Sequence, residues 1–216
     1  FDFTYDNSRG WPLSVQGGGH ALVPDLTLDP ASDELDHGAS WRAGTFRDGS
    51  PGSPDPAPIR DLLINEIVAH TDYSNAVLPE YDSNDAIELF NTVGVGLPLT
   101  DWYLSDELTN LTKWAISPDT PLAAGDWAVY DEVTGFHSPI TNGFGLDKAG
   151  EIAILSYLPG TSQDRIVDAV RFKAQTQGAS WGRFPDGADA WFELLPTRGS
   201  ANGAPGPRVV ISEIMY

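Results

Sequence analysis

A short strand-like motif occurs twice in this 216-residue chain, and the spacing of its two copies constrains the organisation more than any other feature. Residues 64–67 read Ile-Asn-Glu-Ile, and residues 211–214 read Ile-Ser-Glu-Ile, at an offset of 147. The same offset places Gly52-Ser53 on Gly199-Ser200, inside Pro/Gly-rich linkers that precede the two motifs. Because self-similarity at a fixed period indicates repeated structural units, the chain is predicted to consist of repeated modules.

The repeat predicts four parts. A tryptophan, Trp41 or Trp191, precedes each linker, so the order tryptophan, linker, strand occurs twice. We therefore expect the closing part of one module, a Pro/Gly linker, one complete module, and a linker with the first strand of a following module. These parts are residues 1–53, 54–60, 61–203 and 204–216.

The central part reads as a series of short strands. Alternating or continuously apolar segments are separated by turn residues, and the chain contains 22 Gly and 17 Pro. No window shows the apolar spacing of an amphipathic helix. The predicted strands are 62–69, 86–91, 101–106, 126–131, 151–158 and 164–172, with a shorter one at 113–117 and an eighth candidate within 180–187. This pattern predicts an all-β, antiparallel sandwich.

The first of these strands carries the repeated glutamate. Strict alternation along 62–68 places the even-numbered residues, Glu66 among them, on one face and Leu63, Asn65 and Ile67 on the other. Glu66 and Glu213 recur at the same position of the repeat. We predict a structural role for them, at a sheet edge or between strands, in preference to catalysis.

Several blocks in the central part resemble a known family. The segments "AIELFN", "DWYLSD", "FGLDKAGE" and "SWGRFPDG" follow one another in the order found in the lamin tail domain, in particular its bacterial secreted and surface-protein members. The resemblance covers about residues 61–203. It implies an immunoglobulin-like β-sandwich without catalytic activity that serves tethering and interaction. The long acidic loop 70–85 departs from the family pattern.

The charge of the chain restricts its partners. Twelve Lys and Arg against 31 Asp and Glu give a formal net charge of −19. Such a surface repels phosphate backbones, so we expect no nucleic-acid partner. No apolar run is long enough to span a membrane, and cysteine is absent. The expected location is extracellular or at a cell surface, in a bacterium.

Two motifs with catalytic associations have weak support. Residues 178–182 fit G-x-S-x-G, but a turn follows them and the last histidine, His137, precedes them, so the order of a nucleophile-elbow triad is not met. The four histidines lack metal-site spacing and are expected to be scattered on the surface: His20, His37, His70 and His137. The chain is therefore predicted not to be an enzyme.

Oxygen ligands in the acidic loop make calcium the one cofactor that we consider. The candidate ligands are Asp82, Asn84 and Asp85, without EF-hand spacing. The alternative is an Asx-rich turn that caps its own backbone. The tryptophans Trp102, Trp127 and Trp181 are predicted to belong to the core, with a carbohydrate-binding platform as the alternative.

Two functions follow as hypotheses. The first is a structural or adhesive protein of tandem modules, whose partners are copies of itself or adjacent modules and which assembles head to tail through a terminal strand. The alternative is a polysaccharide-binding accessory module of a larger secreted enzyme. The predicted assembly strand consists of Val209, Val210, Ile211, Ser212, Glu213, Ile214, Met215 and Tyr216.

Overall fold

The computed structural model describes residues 4–5, 10–24, 33–74, 76–77, 83–117, 121–137 and 143–207. Antiparallel strands dominate this part of the chain. They are β1 (His20–Pro24), β2 (Trp41–Arg47), β3 (Leu62–Val68), β4 (Ala86–Asn91), β5 (Trp102–Ser105), β6 (Trp114–Ala115), β7 (Trp127–Asp131), β8 (Ile152–Tyr157), β9 (Arg165–Arg171), β10 (Ser180–Arg183) and β11 (Trp191–Leu194). Short 3₁₀ segments lie at Leu13–Val15, Asp33–Asp36 and Gly38–Ser40, and a π-helical turn at Glu132–Phe136.

Nine of these strands form a sandwich. One sheet has the order β11-β10-β3-β4-β7, and the other has the order β6-β5-β8-β9. Their inner faces share one apolar cluster, in which Ile87 and Leu89 of β4 lie with Leu104 of β5 and Leu155 of β8, all fully buried. The predicted all-β antiparallel sandwich is confirmed. The prediction succeeded because alternating apolar and polar residues, bounded by turn residues, specify half-buried strands locally.

The face assignment predicted for β3 is wrong in its second half. The register pairs Ile64 with Leu89 and then Glu66 with Glu88, so Asn65 is an extra residue, a β-bulge. A bulge shifts the side-chain alternation by one position. Ile64 and Ile67 therefore both join the core cluster, although strict alternation would have put them on opposite faces.

The remaining two strands form what we call the N-terminal hairpin, comprising β1, β2 and the described residues of 10–58. β1 and β2 pair antiparallel in a sheet of their own. Trp11 stacks on Trp41 with ring centroids 6.2 Å apart. The hairpin lies against β9 of the sandwich, where the Arg47 N–H donates to the Asp164 carbonyl at 2.9 Å.

Among the described residues, no helix has the length and apolar character needed to cross a membrane.

Candidate functional site

One turn geometry recurs at the two linkers that the sequence repeat aligns. Ser50 Oγ donates to Asp55 Oδ1 at 3.2 Å, and Thr197 Oγ1 donates to Asn202 Oδ1 at 2.8 Å. The donors, like the acceptors, are 147 positions apart. Two residues after each donor stands a glycine in the left-handed region: Gly52 (φ 78°) and Gly199 (φ 85°). The sequence repeat therefore corresponds to a repeated local structure.

The second copy of this turn is attached to the sandwich through Asn202. Its side-chain amide donates to the carbonyl of Asn65 at 3.2 Å and to that of Arg183 at 2.9 Å, so it joins β3 to β10. Both bonds are buried. The turn is thus held against two adjacent inner strands of the five-stranded sheet.

Glu66 holds the same turn from the other side. Its carboxylate accepts hydrogen bonds from the backbone N–H groups of Thr197 and Arg198, at 3.1 and 3.2 Å, and from Ser180 Oγ at 2.7 Å. Glu66 is 1% exposed, so these donors take the place of water around a buried polar side chain. Glu66 thus lies between strands, as predicted, and connects β3 to β10 and to the turn; a structural role in preference to catalysis stays a prediction. Glu213 lies outside the described residues.

A second buried carboxyl, Glu88, lies across the β3–β4 pair from Glu66. Burial raises the pKa of Glu88 to about 7, while donors from Asn65 and Gly199 oppose the rise and the nearby Glu66 adds to it. Asn65 Nδ2 donates to Glu88 Oε1 at 2.9 Å. Near neutral pH, Glu88 is therefore partly protonated, whereas Glu66 has the larger set of donors.

The first copy of the turn is organised by Asp55 within the hairpin. Burial by itself would raise the pKa of Asp55, but hydrogen bonds from Arg42, Thr45 and Ser50 outweigh it and lower the pKa. Arg42 Nη1 lies 2.6 Å from Asp55 Oδ2. Asp55 thus attaches its linker to β2, whereas Asn202 attaches the other linker to β3 and β10.

His20 joins the hairpin to the sandwich. Its Nε2 accepts from the Ile166 N–H of β9 at 2.9 Å, which makes Nδ1 the protonated nitrogen, donating to the Gly44 carbonyl at 2.7 Å. The approach is close: a Cβ on Gly18 would lie 2.4 Å from Ile166 Cδ1. These contacts define a candidate interface between the N-terminal hairpin and the sandwich.

The surface position predicted for His20 is wrong, since this residue is only 7% exposed. Burial lowers its pKa; Arg47 acts in the same direction, whereas the Gly44 bond and Asp55 oppose it. The sequence offers no local signal for this, because the partner Ile166 lies 146 positions away. Of the other three histidines, His37 is exposed, and His70 and His137 are half-buried.

The acidic loop is described only in part. Asp82 lies outside the described residues. Asn84 Oδ1 accepts from the Val133 N–H at 3.3 Å, and Asp85 Oδ1 accepts from Thr71 Oγ1 at 3.1 Å. Burial, together with the charge of Glu132, raises the pKa of Asp85 to about 7.

Asn84 therefore attaches the loop to the π-helical turn, and so does the backbone of Asp85, whose carbonyl accepts from the Glu132 N–H at 2.8 Å. Within the part of the chain that the structure covers, no group of three or more His, Asp or Glu side chains is arranged to hold a metal ion. Calcium binding by this loop stays a prediction.

The remaining sequence candidates have structural positions. Ser180 of the G-x-S-x-G match is 1% exposed, and its hydroxyl donates to Glu66. Trp102 is buried in the core, as predicted, while Trp127 packs on Phe90 and Trp181 against the core cluster, both half-buried. The predicted assembly strand Val209–Tyr216 lies outside the described residues.

Comparison of the chain with protein-family models, curated proteins and solved structures finds no match.

Proposed function

We propose that the chain is a segment of a non-catalytic extracellular structural or adhesive protein, built from tandem lamin-tail-like β-sandwich modules. One observation carries the proposal: the N-terminal hairpin ends in the same turn as the sandwich and docks on β9. A module end that packs on the edge of the next module is the contact that a tandem array repeats. Identity as a lamin-tail-like module is supported by the sequence blocks.

The proposed mode of assembly is strand complementation. In it, Val209–Tyr216 of one chain adds to the sheet of a neighbouring module, because a strand with unpaired backbone groups pairs with a sheet edge. A heterologous contact of this kind is head to tail, and it extends without closing. The high negative charge keeps such an array soluble between its contacts.

Sedimentation velocity over a concentration series tests the assembly. We expect the wild-type chain to form larger species as its concentration rises. Ser212→Pro should stay monomeric, because proline removes a backbone donor from the strand, whereas Ser212→Ala should assemble like the wild type.

A wild-type chain that stays monomeric at every concentration, or an S212P variant that assembles normally, would contradict strand complementation. Pull-down on insoluble glycans tests the alternative function. Retention that persists at high salt and falls when half-buried tryptophans are replaced would favour polysaccharide binding instead.

A further inference from the structure

Arg165, the first residue of β9, is a buried cation that has no carboxylate partner among the residues that the structure describes. The residue is 6% exposed. Its Nη1 donates to the Gln163 carbonyl at 3.0 Å, and its guanidinium carbon lies 4.6 Å from the centroid of the Tyr157 ring. Its Nε is buried and has no hydrogen-bond partner. None of the ion pairs among the described residues includes Arg165.

A second buried arginine shows what is missing. Arg183 is 4% exposed and also lies over an aromatic ring, that of Trp191. Its guanidinium, however, pairs with Asp168 at 2.8 Å and donates to the carbonyls of Ile64 and Ala188. Because a buried charge costs several kcal/mol unless it is paired, Arg183 shows the arrangement that stability requires. Arg165 departs from that arrangement.

Apart from the Gln163 carbonyl and the Tyr157 ring, the described residues compensate the charge of Arg165 without a salt bridge. Burial lowers the pKa of Arg165, and Asp61 and Tyr157 oppose that shift, Asp61 without forming an ion pair. The structure therefore keeps a desolvated guanidinium whose strongest partner, a carboxylate, does not come from the described part of the chain.

Arg165 lines an open cleft of about 400 Å³ between the linker, the bend before β5 and the start of β9. Apolar side chains form part of the wall, and polar side chains also line it. The apolar members are Ile59, Leu97 and Pro98, and the polar members are Asp61, Thr100, Asp101 and Gln163. The cleft thus presents one cation beside two carboxylates.

We propose that this cleft binds a small organic acid, with Arg165 pairing its carboxylate and Asp61 or Asp101 accepting from a neighbouring hydroxyl or ammonium group. A guanidinium holds a carboxylate through two parallel hydrogen bonds. The ligand carries one carboxylate rather than many, because a chain of net charge −19 repels a polyanion. Glucuronate and glycine represent the two classes of donor, hydroxyl and ammonium.

The test is calorimetric titration of the whole chain with four probes at constant ionic strength. They are sodium glucuronate, sodium acetate, the zwitterion glycine and neutral glucose. We expect saturable binding of glucuronate or glycine, weaker binding of acetate and none of glucose. Binding of acetate as tight as that of the other acids would overturn the role given to Asp61 and Asp101. No binding of any carboxylate would overturn the site.

Variants separate the cleft from the rest of the surface. Arg165→Met should weaken carboxylate binding about tenfold or more, because it removes the charged donor while keeping the apolar stem. Arg171→Met, at the exposed other end of β9, is the matched control and should bind like the wild type. Should R165M not fold, Arg165→Lys replaces it, since a lysine lacks the planar fork. Unchanged binding by the Arg165 variant, or equal loss in R171M, would overturn the proposal.

Discussion

The sandwich and the N-terminal hairpin are stabilised by different kinds of contact. The core cluster of the sandwich contains 17 buried residues, whereas Trp11 and Leu35 are the buried apolar residues in the described part of the hairpin. A two-stranded hairpin is marginal by itself in water. The hairpin therefore depends on Asp55, His20 and its contact with β9, while the sandwich depends on apolar burial. The following experiments break or sharpen this contrast.

The largest effect is expected in the sandwich core. Leu104→Ala should lower the free energy of unfolding by about 2–5 kcal/mol, because it removes a fully buried side chain between the sheets. Leu195→Ala, at a residue that is 81% exposed, is the control and should change it by less than about 0.5 kcal/mol. Chemical denaturation measures both. A similar effect of the two substitutions would refute the assignment of the core.

A smaller effect distinguishes the two copies of the turn. Asn202→Asp should cost about 1–3 kcal/mol, because it places a carboxylate against the carbonyls of Asn65 and Arg183 and removes both donors. The exchanged substitution, Asp55→Asn, should lower the free energy of unfolding by about 1 kcal/mol. This effect is the smaller one because solvent screens the ion pair between Asp55 and the partly exposed Arg42.

Hydrogen exchange locates the two effects. N202D should raise amide exchange in β3 and β10, while D55N should raise it in β1 and β2 alone. The contrast between the regions is wrong if D55N loosens the sandwich as much as N202D does.

The smallest effect is a difference in pH dependence between the regions. The pKa of His20 is lowered from its ordinary 6.5. The contribution of His20 to the stability of the folded hairpin is therefore complete above pH 6.5 and is lost as the pH falls below that value. The pKa of Glu88 is raised from 4.5 to about 7, so the native state binds its proton more tightly and the sandwich gains stability as the pH falls from above 7 to about 4.5. Protonated His20 also loses its bond from Ile166.

Amide protection factors between pH 8 and pH 5 measure this difference. We expect protection to fall in β1 and β2 while it holds or rises in β3 and β4. His20→Gln should remove the first trend, and Glu88→Gln the second. Parallel loss of protection in both regions would show that the hairpin has no separate pH response.

The strands could be predicted from the sequence because their signal is local. Residues 86–91 show the alternation of a half-buried strand and are flanked by turn residues, and the observed β4 has those bounds. The bulge at Asn65 could not be predicted, because it depends on the register with β4, which the sequence of β3 does not contain. The burial of His20 could not be predicted for a related reason: it arises from a contact with Ile166, which lies 146 positions away in the sequence.

The position of the hairpin has a consequence for how the chain behaves when it loosens. β9 is an edge strand of its sheet, and the hairpin occupies the Ile166 N–H and the Asp164 carbonyl next to it. An uncovered edge with free backbone groups is a template for pairing with another molecule. We therefore expect the hairpin to shield this edge from pairing with other molecules, and we expect acid conditions that loosen the hairpin to expose the edge.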